Sequence, residues 1–326
     1  MEEQKHFFEI LKTKIPEQYR LADVVEEVLH LSTDAVYRRF RGDKELTLKE
    51  LLVLCRKYNL SMDEIFSLNA NQGVLFNYAP VNFSDQGSYI AYLKRLLETM
   101  ISFKSAPEKE VYYTAQDIPF YYFFDYTELM FFKLYAWNDT VSRVQKSYDE
   151  FCSTLNKESI IPLYRQMANA YQSVPFREIW TNRTIDTLLR LLEYYYEIGA
   201  FDNKETVLHL LVQLSDLMDN VKKCANKGYK GVDSTTPFSL YLCSVDFENN
   251  FMLIKRGEQM SCTIRIFPAN SIVTENKALC SETAQWIDDL ISKSILISGT
   301  SAKERIRFFQ ATKNKINELS NRIEIS

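Results

Sequence analysis

The sequence predicts a mainly α chain with a small α+β part, and three observations carry that prediction. Residues 18–66 hold four short amphipathic runs punctuated by capping residues. Residues 157–174 and 181–225 repeat apolar positions at helical spacing. After Pro237 the pattern switches to short β-rich runs bounded by turn residues. At 326 residues the chain fits two or three domains. They divide into an N-terminal helical bundle over 1–70, a linker over 71–87, and a larger part over 88–326. That larger part comprises a helical block (88–235) and a β-rich block (236–326) holding a small antiparallel sheet near the C-terminus.

In the N-terminal stretch, Leu21, Val24, Val25, Val28 and Leu29 fall at i, i+3, i+4, i+7 and i+8, the stripe of a helix with one buried face. A break follows at His30 and Leu31. Ser32 offers an N-cap hydroxyl, and Leu31 before it can staple onto Val36. The new helix runs to Arg41 and meets Gly42, suited to a left-handed cap. Two further starts, Thr47 with Glu50 and Ser61 with Glu64, are capping boxes ahead of apolar runs (Leu48, Leu51, Leu52 and Cys55; then Ile65 and Phe66).

The second of these helices is built to meet a duplex. At about 100° per residue, Thr33, Asp34, Tyr37, Arg38 and Arg41 share one face, and Val36 and Phe40 lie on the other. Arg can fork onto guanine, Thr and Tyr can bond base edges or phosphates, and Asp can accept from cytosine. Ser32 opens this face. Arg41, Lys44 and Lys49 stand where a helix end and loop would meet phosphates. The bland alternative is a small bundle whose charged face is merely solvated.

These residues make a helix-turn-helix. The segment resembles the lambda-repressor/Cro-type (xenobiotic-response-element) family of transcriptional regulators, over residues 1–70 only. The likeness is carried by the Arg41-Gly42 pair after the second helix, the helix at 48–58, and the closing Leu-Ser-Met-Asp-Glu-Ile-Phe at 60–66. His30 stands at a turn position where that family prefers glycine. Glu26 replaces a small alanine, and Thr33 a frequent glutamine. The resemblance implies a recognition helix over 32–41 lying in the major groove of double-stranded DNA, with Ser32, Thr33, Asp34, Tyr37, Arg38, Arg41 and Lys44 as its DNA-binding residues.

Beyond the linker, residues 88–103 read as a helix, 110–115 as a strand, and aromatic-rich helices follow to about 148. Leu188, Leu191, Leu192, Tyr195 and Tyr196 form a stripe within 181–225. Strands are expected over 238–246, 251–256 and 261–267, with Glu248-Asn249-Asn250 and Gly257-Glu258-Gln259 as turns, then helices over 281–294 and 301–323. The helical block is either inserted into this α+β module or stands beside it. Aromatic density at 112–137 suits a small-molecule pocket, although a core or a dimer interface favours the same residues and is the plainer reading.

Composition narrows the functions. Net charge is −4, so DNA affinity has to come from local clusters such as Arg38-Arg39-Phe40-Arg41 and Arg56-Lys57. Nucleotide-cradling glycine motifs are absent. The six cysteines show no C-x-x-C spacing and the three histidines are scattered, so neither a metal nor another cofactor is expected. Cys243 and Cys262 could lie on neighbouring strands as a redox pair. No nucleophile–base arrangement marks an enzyme. The acidic start is no signal peptide, and the most apolar stretch (118–137) carries too many charges to span a membrane, so a cytoplasmic protein is expected. The expectation is a sequence-specific DNA-binding transcriptional regulator acting as a homodimer, its C-terminal part regulatory and open to a small-molecule or peptide effector. The alternative is a peptide- or protein-binding receptor centred on the helical block.

Overall fold

The computed structural model describes residues 2–16, 18–58, 60–62, 65, 73–104, 108–142, 146–231, 235–267 and 270–326. They form two compact units, Met1–Leu75 and Phe76–Ser326.

The N-terminal unit contains helices α1 (Glu2–Thr13), α2 (Leu21–Leu29), α3 (Thr33–Arg41) and α4 (Leu48–Tyr58). Its core gathers Phe7, Phe8 and Leu11 from α1, Val25 from α2, Val36 from α3, and Leu54 and Cys55 from α4, with Ile65 beyond. Helix α1 is absent from the sequence reading, although Phe7, Phe8, Leu11 and Ile15 have helical spacing. In α4 the buried edge differs from the expected one. Leu48 is 66% exposed and Leu52 is also exposed, while Leu54 is sealed. The stripe was assigned from the cap onwards, but packing against α2 selects the edge through Leu51, Leu54 and Cys55. Glu64 and Phe66, and with them the last capping box and the end of the 60–66 motif, lie outside the described residues.

The C-terminal unit is organised by a sheet with the order β1-β8-β7-β6-β2-β3-β5-β4, and β9 also pairs with β5. The strands are β1 (Asn77–Tyr78), β2 (Lys109–Ala115), β3 (Phe176–Trp180), β4 (Tyr229–Lys230), β5 (Thr236–Cys243), β6 (Phe251–Arg256), β7 (Gln259–Phe267), β8 (Asn270–Thr274) and β9 (Ser294–Leu296). The chain is mainly α with a sheet, but this sheet is large and mixed where a small antiparallel one was expected. Its centre is parallel: β3 lies between β2 and β5 and runs with both. Parallel neighbours need long crossovers, and the helical block supplies them. One crossover comprises a 3₁₀ turn (Phe120–Asp125), α6 (Thr127–Ser142), α7 (Tyr148–Thr154) and α8 (Lys157–Gln172); the other comprises α9 (Asp186–Glu197) and α10 (Lys204–Lys227). The helical block is thus inserted into the sheet.

The crossovers also overturn the first expected hairpin. Strands β5 and β6 are consecutive in sequence, yet β2 and β3 lie between them. The run Glu248-Asn249-Asn250 instead carries the chain past β2, where Asn250 Oδ1 accepts the Gln116 N–H at 2.8 Å. The second expected turn does join a hairpin, β6–β7, with Gly257 at φ 57°. Cys243 and Cys262 lie on β5 and β7, four strand positions apart, or roughly 19 Å at the usual strand spacing. That separation excludes a disulfide between them.

One sheet face, through Val111, Tyr113, Phe176, Trp180, Phe238 and Leu240, packs on the crossover helices, on α5 (Gln86–Lys104) and on α12 (Ala302–Ile325). The other, through Tyr112, Ile179, Leu253 and Cys262, is covered by α11 (Lys277–Ser292) with Cys280, Ile287 and Leu290. Within the stretch read as linker, Tyr78 pairs with Ile272 of β8, and Val81 and Phe83 enter the main core. The expected aromatic cluster is largely interior: Tyr122, Phe123, Phe124, Phe131, Phe132 and Trp137 are buried. No described helix is long and apolar enough to cross a membrane.

Candidate nucleic-acid interface

Helix α3 is fixed at both ends by its own sequence. Ser32, extended at φ −75° and ψ 154°, accepts the Ala35 N–H on its hydroxyl at 3.4 Å, while Gly42 closes the helix in the left-handed region at φ 84°. Upstream, α2 ends on His30, which is left-handed at φ 53° and ψ 47°. Most side chains avoid this region because Cβ crowds the following carbonyl. The preference for glycine at this turn therefore has a direct conformational cause.

Helix α3 turns its two faces in opposite directions. Val36 is fully buried and Arg39 is 2% exposed, whereas Ser32, Thr33, Asp34, Tyr37, Arg38, Arg41 and Lys44 are all exposed. These are the seven positions that the sequence singled out. Phe40, half-buried, packs edge-on against Phe8 of α1 at 4.6 Å between ring centres and against Tyr37 at 5.8 Å. Arg20 donates to the Tyr37 hydroxyl at 3.5 Å. Arg41 pairs with Asp43 at 2.8 Å, but both side chains are more than half exposed, so the pair is weak and exchangeable for a phosphate.

Arg39 departs from the sequence reading, which counted it among the free cations of the cluster at 38–41. It faces inward. Its guanidinium grips Glu50 of α4 through Nη2–Oε1 at 2.6 Å and Nε–Oε2 at 3.3 Å, and Nη1 donates to the Ala35 carbonyl at 2.9 Å. The same Glu50 forms the expected capping box. Its carboxylate accepts the Thr47 N–H at 2.9 Å, and its own N–H donates to the Thr47 hydroxyl at 3.2 Å. Burial acts to raise the Glu50 carboxyl, but the Arg39 and Thr47 hydrogen bonds outweigh it and hold the group below its usual 4.5. The stabilisation from this ionised carboxylate is thus present above pH 4.5 and fades as pH falls through the lower folded value. A fork of this geometry fixes α3 against α4 at one angle.

A second support went unread in the sequence. Gln4 of α1 donates from Nε2 to the carbonyls of Arg39 at 2.7 Å and Lys44 at 3.0 Å, and its Oε1 accepts the Leu46 N–H at 2.7 Å. One amide thereby secures the loop carrying Lys44. A polar residue on a surface helix carries no sequence signal for this role, because its partners lie 35–42 positions away. Arg56 and Lys57, the other cationic pair, are exposed on α4.

The interface has the parts that duplex recognition needs: a short rod with one anchored edge, hydroxyl, phenol, carboxylate and guanidinium groups free on the other, and a lysine loop at its end. No family model, curated protein or solved structure matches the chain.

Proposed function

We propose that the protein is a sequence-specific DNA-binding transcriptional regulator of the lambda-repressor/Cro type, acting as a homodimer on double-stranded DNA, with the C-terminal unit as its regulatory part. The observation that carries this reading is the division of α3, where Val36 and Arg39 are buried and seven polar positions are solvent-facing. In a bundle whose charged face is only solvated, nothing requires the exposed positions of one short helix to be this uniformly suited to bases and phosphates. In this reading Arg38 and Thr33 contact base edges, Asp34 and Tyr37 refine the choice, and Arg41 and Lys44 fix register on the backbone. A single such helix offers a small interface, so two copies on a two-fold site supply the affinity.

The net charge of −4 makes general adhesion to DNA unfavourable and leaves binding to this local patch. Selection of duplexes from a random pool by the full chain is expected to return a palindromic consensus. The R38A/R41A double variant is expected to lose at least about 100-fold in affinity for that duplex while keeping its thermal transition. Retained binding by the double variant, or a pool without enrichment, sinks the assignment. The receptor reading has less support, because the helices of the C-terminal unit layer onto a sheet face, not onto one another as stacked pairs around a groove.

A further inference from the structure

A cavity of about 420 Å³ lies in the C-terminal unit, where the helix-facing side of β6–β7–β8 passes under α5 and the 3₁₀ turn. Its floor follows the sheet register. Tyr113 of β2 pairs with Met252 of β6, Met252 with Thr263 of β7, and Arg265 of β7 with Ser271 of β8. Its walls are Tyr92 of α5 and the adjoining rings of Phe120 and Tyr121, 4.1 Å apart. Tyr121 is fixed by its hydroxyl on Met252 Sδ at 3.5 Å and by stacking parallel to Tyr171.

The polar groups lining this space are largely unused. Among the described residues, the side chains of Tyr92, Tyr113, Thr263 and Ser271 and the guanidinium of Arg265 make no hydrogen bond. Arg265 approaches Asp117 only to 3.7 Å. That carboxylate is already committed, with Oδ2 to Lys133 Nζ at 2.8 Å and Oδ1 to the Ile118 N–H at 2.9 Å. Asp117, Lys133 and Arg265 together leave one positive charge, and Arg95 of α5 adds a further cationic influence on Tyr92. Burial pushes the Tyr92 and Tyr113 phenols up to about 12 against the opposing pull of Arg265. Both therefore remain donors at neutral pH. A guanidinium holds five N–H groups in a planar fork, and leaving it unbonded in a half-closed site is costly unless an acceptor enters.

We propose that this cavity binds a small aromatic carboxylate, with its two oxygens on the Arg265 fork and the Tyr113 hydroxyl and its ring between Tyr92, Phe120, Tyr121 and Met252. A carboxylate matches the fork in shape and charge. A phosphate dianion asks for more positive charge than the single excess here. The volume lies near the lower end of small-molecule sites, which favours a single-ring acid over a lipid. The inference is independent of the DNA-binding reading, because it concerns the C-terminal unit alone.

Calorimetric titration of the full chain with benzoate, phenylacetate, benzamide and inorganic phosphate tests it, without DNA. The two acids are expected to bind with Kd of about 1 mM or tighter, with benzamide and phosphate at least about tenfold weaker. R265Q is expected to lose about tenfold or more for benzoate, and Y113F, which deletes one hydroxyl from an otherwise unchanged ring, about threefold. Near-ultraviolet dichroism and the thermal transition verify that both variants fold. Binding of neither acid to the wild-type chain, benzamide or phosphate equal to benzoate, or full benzoate affinity in folded R265Q and Y113F overturns the proposal.

Discussion

The two units place their charges in opposite ways. In the N-terminal unit the recognition face of α3 looks outward, and Arg39 alone on that helix turns in to meet a partner. In the C-terminal unit charge sits in the middle of the aromatic core. Glu178 on the central strand β3 is fully buried and accepts hydrogen bonds from the Tyr171 hydroxyl at 2.7 Å, Trp180 Nε1 at 2.8 Å and the Tyr122 hydroxyl at 3.1 Å. Lys230 is buried nearby, donating to the Tyr171 carbonyl at 3.0 Å, with its ammonium 3.6 Å above the Tyr171 ring. Burial raises the Glu178 carboxyl, opposed by Tyr171, Lys230, Trp180 and Tyr122. Burial also lowers the Lys230 ammonium to about 7, and Glu178 pulls it back up. Outward charge is free to recognise something else, whereas inward charge is fully occupied in recognising its own chain.

The strongest way to break this contrast is to remove the inward acceptor. Glu178→Leu leaves two buried phenols and an indole N–H without their acceptor and Lys230 without its nearest counter-charge. Stability of the C-terminal unit is expected to fall by about 3–5 kcal/mol. Urea unfolding followed by hydrogen exchange in peptides from β3 and β5 measures it, and peptides from α2 and α3 are expected to keep their protection. A loss below about 1 kcal/mol would mean that the cluster is solvated in practice, and the contrast would collapse.

A smaller effect separates neighbours on α3. Arg39→Ala removes the fork on Glu50 and the bond to the Ala35 carbonyl. The N-terminal unit is expected to lose about 2 kcal/mol, less than for a sealed pair because the Glu50 side chain keeps 17% of its exposure. Arg38→Ala, one residue away on the outer face, is expected to change stability by less than about 0.5 kcal/mol. Paired urea midpoints check this. Equal losses in the two variants would show that the faces are not distinct.

The same contrast explains what could be read from the sequence. In the N-terminal unit, Ser32, Thr47 with Glu50, Gly42 and the spacing of Val25, Val36 and Cys55 are local signals. A helix cap and its partner lie within four residues of each other, so the elements and the outer face of α3 were legible. Arg39 was not, because its partner Glu50 lies on another helix and an arginine looks the same whether it faces in or out. In the C-terminal unit the central strand passed unread. A strand buried on both faces is expected to be a continuous apolar run, yet Phe176-Arg177-Glu178-Ile179-Trp180 carries two charges. Arg177 pairs with Glu110 at 2.6 Å on the side away from the helical core, and Glu178 meets phenols from two separate helical segments. With β3 unread, its parallel partners had no partner either, so β5 and β6 looked like a hairpin.

The smallest expected effect tests the turn before α3. His30 is exposed and left-handed, so its ring contributes little packing while its Cβ carries the conformational cost. His30→Gly relieves that cost, roughly 1–2 kcal/mol, but glycine also frees the unfolded chain, which offsets about 0.4–1 kcal/mol of the gain. The difference is a stabilisation of about 0.5–1 kcal/mol in the N-terminal unit. His30→Ala keeps the Cβ and is expected to give no such gain. The pair of variants separates backbone relief from loss of the imidazole, since both delete the ring and only one deletes the Cβ. If His30→Gly proves less stable than His30→Ala in the urea midpoint of this unit, the turn is not left-handed at this residue, and the angle at which α3 leaves α2 would have to be rebuilt.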